Sequence, residues 1–346
     1  MNIVVLAGGL SPERDVSLSS GALIANALRG KGHHAILADL FLGIESLPDP
    51  IHLAFSDFRT EQEYEIPSSA PDLSAVQKSR PSGFSSKVGN GILDLCRAAD
   101  ITYLALHGDI GENGSLQSFF DLSDIRYTGS SSLGCALAMN KFFSKKLFEN
   151  AGLYTPKGFL LHRGDELSAD SIFYPCVVKP CSGGSSIGIS IVRSSDELEK
   201  ALDQAFEMEN TILIEEYIAG TELSAAILGD TALPLIEIIP KTGFYDYRNK
   251  YQPGSTEEIT PARLDADTTR KVQDAALTAF QALGLSVYSR IDFLLSTDGK
   301  PYCLEANTLP GMTPTSLFPQ EASAAGICYQ DLCDMVVQLS ISKYQS

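Results

Sequence analysis

Short apolar runs alternate with runs of helical spacing over the first third of the chain. Residues 2–7, 35–40 and 101–106 read as buried strands, and helical patterns span about 16–29, about 90–98 and the stretch from Ser115. Such alternation predicts an α/β fold, a parallel sheet with crossover helices whose functional loops lie at the strand carboxyl ends. Between about 44 and 90 the pattern dissolves into Pro, Ser, Asp and Glu, which predicts a long surface insertion. One helix is expected over 132–150, from the spacing of Leu133, Leu137, Phe143, Leu147 and Phe148. Strands near 158–161, 174–179, 188–192 and 211–216 follow, with a helix opened by the capping box Ser194-x-x-Glu197. Strands at 222–228 and 233–239, a helix at about 267–283, a hairpin at 290–307 and a C-terminal helical region complete the chain. The expected units are 1–129, Rossmann-like with the insertion, then 130–214 and 215–346, both α+β.

The hairpin carries the clearest chemical signal. If Asp298-Gly299 forms a two-residue type I′ turn, Asp292 lies across from Glu305, Arg290 across from Asn307, and Phe293 across from Leu304. Facing carboxylates repel unless a positive charge sits between them, and a hard divalent ion with oxygen ligands would serve. An edge hairpin with a solvated polar face is the other reading of the same alternation.

Composition narrows the partners. The chain has 346 residues, 44% of them hydrophobic, and a net charge of −17. That charge argues against nucleic acid or an anionic membrane, while leaving room for a small polyphosphate in a local pocket. The opening NIVVLAGG lacks a basic leader and is expected to be a buried strand rather than a signal peptide. No apolar run reaches transmembrane length. Seven scattered cysteines, none spaced as CxxC, read as reduced residues of a cytoplasmic protein, and five histidines without an HxxxH pair argue against zinc.

Five further segments suit anion or nucleotide chemistry or the cover of such a site. The run Val177 to Gly188 is a strand ending in Lys179, then a Gly/Ser loop whose N–H groups and hydroxyls could cradle phosphates or form a plain hairpin loop. The strand at 211–216 ends in Glu215 and Glu216, followed by Tyr217, Ile218 and Glu222, a strand edge that could read adenine or simply end a strand. Two strand-to-helix junctions, at 8–17 and 106–117, offer helix N-termini to anions; Glu13 in the first either caps its helix or holds an ammonium group. The glycine-flanked aromatic loop 243–254 reads as a lid or as a tyrosine-rich surface hairpin.

In their order along the chain these segments resemble the ATP-grasp D-alanine:D-alanine ligases, through GGLSPERDVS, LHGDIGENGSLQ, ALAMNK, VVKPCSGGSSIG, LIEEYIAGTE, FYDYRNKY, SRIDF and LEANTLPGMTPTSL. The resemblance covers nearly the whole chain apart from 44–90. It implies two magnesium ions, or manganese in their place, held by Asp292, Glu305 and Asn307. ATP would meet Lys141 and Lys179 at its phosphates, Glu215, Glu216, Tyr217, Ile218 and Glu222 around adenine and ribose, and Lys250 at the transferred phosphoryl group. Glu13 would hold the ammonium of the first D-alanine in a set with Ser185 and Tyr251, with His107 nearby. Ser316 and Leu317 would receive the carboxylate of the second amino acid, and Arg290 with the Gly311 N–H would stabilise the tetrahedral intermediate. The resemblance further implies a homodimer and a role in peptidoglycan precursor synthesis.

The 44–90 insertion, the GFYDYRNKY lid and the LPGMTPTSL ending also resemble the D-alanine:D-serine ligases of vancomycin resistance, and Ser182-Gly183 stands where many family members have Arg-Glu. Two other readings are a nucleotide-binding regulatory protein on the same frame, disfavoured because the metal ligands and Arg290 are present, and an NAD-binding oxidoreductase, disfavoured because Ala7-Gly-Gly-Leu-Ser lacks the dinucleotide fingerprint.

Overall fold

The computed structural model describes residues 1–56, 64, 71–80, 86–168, 172–184, 186–241, 243 and 254–345. Among them the strands form three sheets.

The first is parallel. Strands β1 (Asn2–Ala7), β2 (His34–Asp39) and β3 (Ile101–Leu104) lie in the order β2-β1-β3. The helix Arg14–Gly30 crosses from β1 to β2 and packs closely because Gly21 has no side chain. A Cβ there would stand 2.7 Å from the Ala7 methyl and 2.8 Å from Leu37. The 44–90 stretch is stitched at its base, where Ile44 N–H donates to Asn90 O (2.8 Å) and Gly89 N–H to Leu40 O (2.8 Å). It contains a 3-10 helix, Ile51–Phe55, which buries Phe55, and a helix, Leu73–Lys78, capped by Asp72.

The second sheet, antiparallel, comprises β4 (Gly158–His162), β5 (Cys176–Pro180), β6 (Ser190–Val192) and β7 (Thr211–Glu216), in the order β4-β7-β5-β6. The helix Ser195–Met208 closes its core by placing Ala201 and Ala205 against Val178, Val192 and Ile214. The expected capping box does not form. The Glu197 carboxylate accepts from Arg193 N–H (2.8 Å), and the Ser194 side chain makes no cap.

The third sheet holds β8 (Gly220–Leu228), β9 (Thr231–Ala232), β10 (Ile236–Pro240), β11 (Thr256–Ile259), β12 (Tyr288–Ser296) and β13 (Pro301–Asn307). Its order is β11-β10-β8-β12-β13, with β9 paired to β8. The helix Ala266–Ala282, capped by Asp265, buries Val272, Ala276 and Ala279 against Leu223, Ile291 and Phe293.

Two sequence expectations are corrected here. The single helix expected over 132–150 is two, Ser132–Met139 and Lys141–Asn150, broken at Asn140, whose extended backbone and side-chain oxygen cap Phe142 and Phe143 N–H (both 3.1 Å). The change of axis leaves Leu133 and Phe143 exposed, while Ala138 and Phe148 enter the core of the third sheet. The hairpin turn also differs. Ser296 N–H donates to Lys300 O (3.0 Å) across a three-residue loop, Thr297-Asp298-Gly299, with Gly299 at φ 75°. That shifts the pairing by one, so Phe293 faces Cys303 instead of Leu304, and a bulge beyond Asp292 restores the expected facing of Asp292 with Glu305 and Arg290 with Asn307.

The chain ends in helices Leu317–Ala324 and Tyr329–Ser342. The last returns to the first sheet's layer, adding Leu332, Val336 and Val337 to the core that holds Ile24 and Leu28.

Candidate active site

The polar face of β12 and β13 is compensated charge by charge. Arg290 grips Asp292 with two parallel bonds of 2.8 Å, and Asn307 Nδ2 donates to the same carboxylate at 3.1 Å. Lys141 Nζ stands 3.0 Å from Glu305 and donates to Gly183 O at 2.7 Å. The break at Asn140 makes this reach possible, since it places Lys141 at the start of a new helix with its N–H on Cys181 O (2.8 Å). The metal-candidate hairpin and the glycine loop after β5 are thereby joined by one buried lysine. Glu112, Lys141, Gly183, Gly184, Glu305 and Asn307 line a shared cleft.

From the other side, the front loop reaches the same place. Glu13 occupies the N-cap position of Arg14–Gly30, yet its side chain does not cap the helix. Its Oε2 lies where a Cβ on Gly108 would be 3.3 Å away and one on Gly184 3.7 Å away. The loop is braced by Arg14, which donates to Gly9 O (2.6 Å) and pairs with Asp39. Gly8, at φ 77°, makes room for the Asp39 carboxylate, which a Cβ would meet at 2.6 Å.

His107 is buried, and its Nδ1 lies 3.1 Å from Leu309 O, an acceptor, so the ring proton resides on Nδ1. Burial lowers its pKa, leaving a neutral ring, and among the described residues Nε2 has no hydrogen-bond partner. Glu112 accepts from Gly108 N–H (2.7 Å). Burial and the nearby Glu13 charge push its carboxyl up to about 8.

Glu215 and Lys179 point at each other. The Glu215 carboxylate lies between Lys179 (2.5 Å) and Lys145 (3.1 Å), all three buried. Burial would raise Glu215, but the two ammonium charges outweigh it and hold its pKa below the ordinary value. Burial also lowers Lys145 to about 8, against the pull of Glu215. Glu216 accepts from Lys157 N–H (2.9 Å), Tyr217 is exposed, Ile218 is half-buried, and Glu222 stands on β8 across from Leu294.

Ser316 is the N-cap residue of Leu317–Ala324, its hydroxyl held by Thr313 N–H (3.1 Å) and Thr313 Oγ1 (2.8 Å). Gly311 lies against it, for a Cβ there would meet Ser316 Oγ at 2.8 Å. Ser185, Lys250 and Tyr251 lie outside the described residues, as does most of the 243–254 loop.

Sequence reasoning did not single out Lys145 or Glu112. Lys145 follows Lys141 by four residues and so shares its helix face, a signal the expected 132–150 helix already carried. Glu112 sits inside the 106–117 segment, but its meeting with Glu13 depends on two separate loops.

Chemically, the cleft offers hard oxygen ligands, lysines and a glycine loop on one side, and a carboxylate and a neutral imidazole on the other. That set suits a polyphosphate beside a small zwitterion.

Comparisons with known proteins agree. A family model described as the D-ala D-ala ligase N-terminus matches residues 2–130, and one described as the D-ala D-ala ligase C-terminus matches residues 147–338. The chain is 44% identical over 341 residues to a D-alanine–D-alanine ligase of Pediococcus pentosaceus, covering 97% of each. It is 42% identical over 347 residues to one of Lacticaseibacillus casei, covering 99% of this chain and 97% of the relative. Among solved structures, the D-alanine–D-alanine ligase from Bacillus anthracis superposes with a TM-score of 0.76 at 32% identity, with both chains fully covered. The same ligase complexed with ATP gives 0.74 at 30% identity, covering 100% of this chain and 98% of the other. The fold is accordingly ATP-grasp, and the chain belongs to the D-alanine–D-alanine ligase family.

Proposed function

We propose that this protein joins two molecules of D-alanine into D-alanyl-D-alanine for peptidoglycan precursor synthesis, converting ATP to ADP and phosphate. The observation that carries the reading is Lys141, which touches both Glu305 on the hairpin and Gly183 in the glycine loop and so builds one phosphate-binding floor from two sheets.

Asp292, Glu305 and Asn307 supply hard oxygen ligands from one sheet face, a donor set that fits magnesium or manganese. A magnesium or manganese ion held there would neutralise the charge that develops on the transferring phosphoryl group. The chain's own residues do the rest. Lys141 and Lys179, with Lys250 from the 243–254 loop, offset phosphate charge. Glu215 to Ile218 and Glu222 frame the nucleoside. Glu13, in a set with Ser185 and Tyr251, holds the ammonium of the first D-alanine, whose carboxylate oxygen attacks the γ-phosphorus as the bond to the ADP oxygen breaks. The N-terminus of Leu317–Ala324, at Ser316 and Leu317, receives the second carboxylate. The second amine, having lost a proton, then attacks the acyl carbon; His107, near the first D-alanine, has a neutral ring whose Nε2 lone pair is suited to receive that proton. Arg290, aligned by its two bonds to Asp292, and the Gly311 N–H stabilise the resulting oxyanion until phosphate leaves.

The test is phosphate release from ATP by purified protein. Release is expected to require both D-alanine and magnesium, and release that ignores D-alanine would refute the reading.

A further inference from the structure

A fully buried acid is used by no step above. Glu321 lies on Leu317–Ala324, one turn from Leu317, and is 0% exposed. Its Oε1 accepts from Ala226 N–H at 2.9 Å and its Oε2 from the Ser224 hydroxyl at 3.4 Å. Both partners are neutral and both lie on β8. In the β8–β12 register Ala226 is the residue opposite Arg290, and Ser224 the residue opposite Asp292.

The bond to Ala226 fills a gap in the sheet. The β8–β10 ladder ends at Ser224 opposite Ile236, and beyond it Ala226 O accepts from Leu233 N–H (2.8 Å). The Ala226 N–H on that side would have no partner without the Glu321 carboxyl, and an unsatisfied buried donor is costly. Yet stability alone does not call for an acid. Burial holds this carboxyl well above the usual carboxylate range, and a neutral amide could satisfy the Ala226 N–H without that cost. Directional bonds add something apolar contacts lack, a fixed register between helix and strand.

We propose that Glu321 is a positioning residue for the second amino acid. By gripping the β8 residues opposite Arg290 and Asp292, it sets the N-terminus of Leu317–Ala324 at a fixed place relative to the reacting centre. The proposal rests on the reading that this N-terminus receives the acceptor carboxylate. Small displacements there would weaken acceptor binding and attack while leaving the first half-reaction alone.

The test separates the two halves. Dipeptide formation is measured against D-alanine concentration and resolved into first-site and second-site saturation constants. In parallel, hydroxylamine replaces the second amino acid and traps the acyl phosphate as a hydroxamate. Glu321→Ala is expected to raise the second-site constant about tenfold, with the first-site constant and hydroxamate yield within about twofold of the parent. Glu321→Gln, whose amide oxygen accepts from Ala226 and whose NH2 reaches Ser224, is expected to restore the second-site constant. Ser224→Ala, which loses only the longer bond, is expected to raise it about threefold and carries the test if Glu321→Ala fails to fold. Constants that rise together, or none that rise, with an active parent overturn this proposal alone. A parent that yields neither dipeptide nor hydroxamate overturns the ligase reading itself.

Discussion

Asp292 shows how much one residue carries. It accepts two bonds from Arg290 and one from Asn307, and it faces Glu305 across the hairpin. Asp292→Asn and Glu305→Gln keep shape and remove charge, so each is expected to lower kcat at least about a hundredfold, with unchanged circular dichroism. Glu112 gives a prediction in stability. Its folded pKa, about 8, lies above its ordinary value, so the folded state keeps a proton that the unfolded state loses. Its contribution is therefore fully present at low pH and is lost as pH rises from about 4.5 to about 8. Glu112→Gln, always neutral, is expected to flatten the fall in unfolding free energy across this window, as denaturant titrations at several pH values would record; an unchanged slope would contradict the assignment. At this scale the sequence was readable where chemistry follows a strand's alternation, as in Asp292 and Glu305. It was opaque where partners come from separate layers, as when Lys145 and Lys179 enclose Glu215.

Elements were legible in kind and less so in their joints. The strands and most helices fall near their expected places because burial follows periodicity over whole turns and pleats. The break at Asn140 did not show, since apolar residues continue at helical spacing through it and the cap is a single polar side chain. The hairpin register at the site was correct for a reason its turn did not supply: a three-residue loop and a bulge offset each other. Asn140→Ala removes the cap on Phe142 and Phe143 N–H, with an expected loss of about 1 kcal/mol. Because the same break aims Lys141, the KM for ATP is also expected to rise, measurable by steady-state kinetics. A stability loss with ATP affinity intact would separate cap from site.

At the scale of the molecule, the last helix ties the ends of the chain together. Leu332, Val336 and Val337 share a core with Ile24 and Leu28, and Asp331 and Asp334 pair with Lys31 (2.8 Å) and His33 (2.9 Å). Contacts this distant in sequence leave no periodic trace, which is why the pattern predicted a C-terminal helix but not its docking. Leu332→Ala is expected to cost about 2–5 kcal/mol by opening a cavity in that shared core, read from thermal or denaturant unfolding. The site in turn needs all three layers: Glu13 from the first, Gly183 and Gly184 from the second, and the hairpin from the third. The most direct test is product analysis by mass spectrometry, with ATP, magnesium, D-alanine and an equal amount of D-serine. The account expects D-alanyl-D-alanine as the main product, with one ADP formed for each dipeptide. Absence of any dipeptide, or D-alanyl-D-serine as the main product, would contradict it.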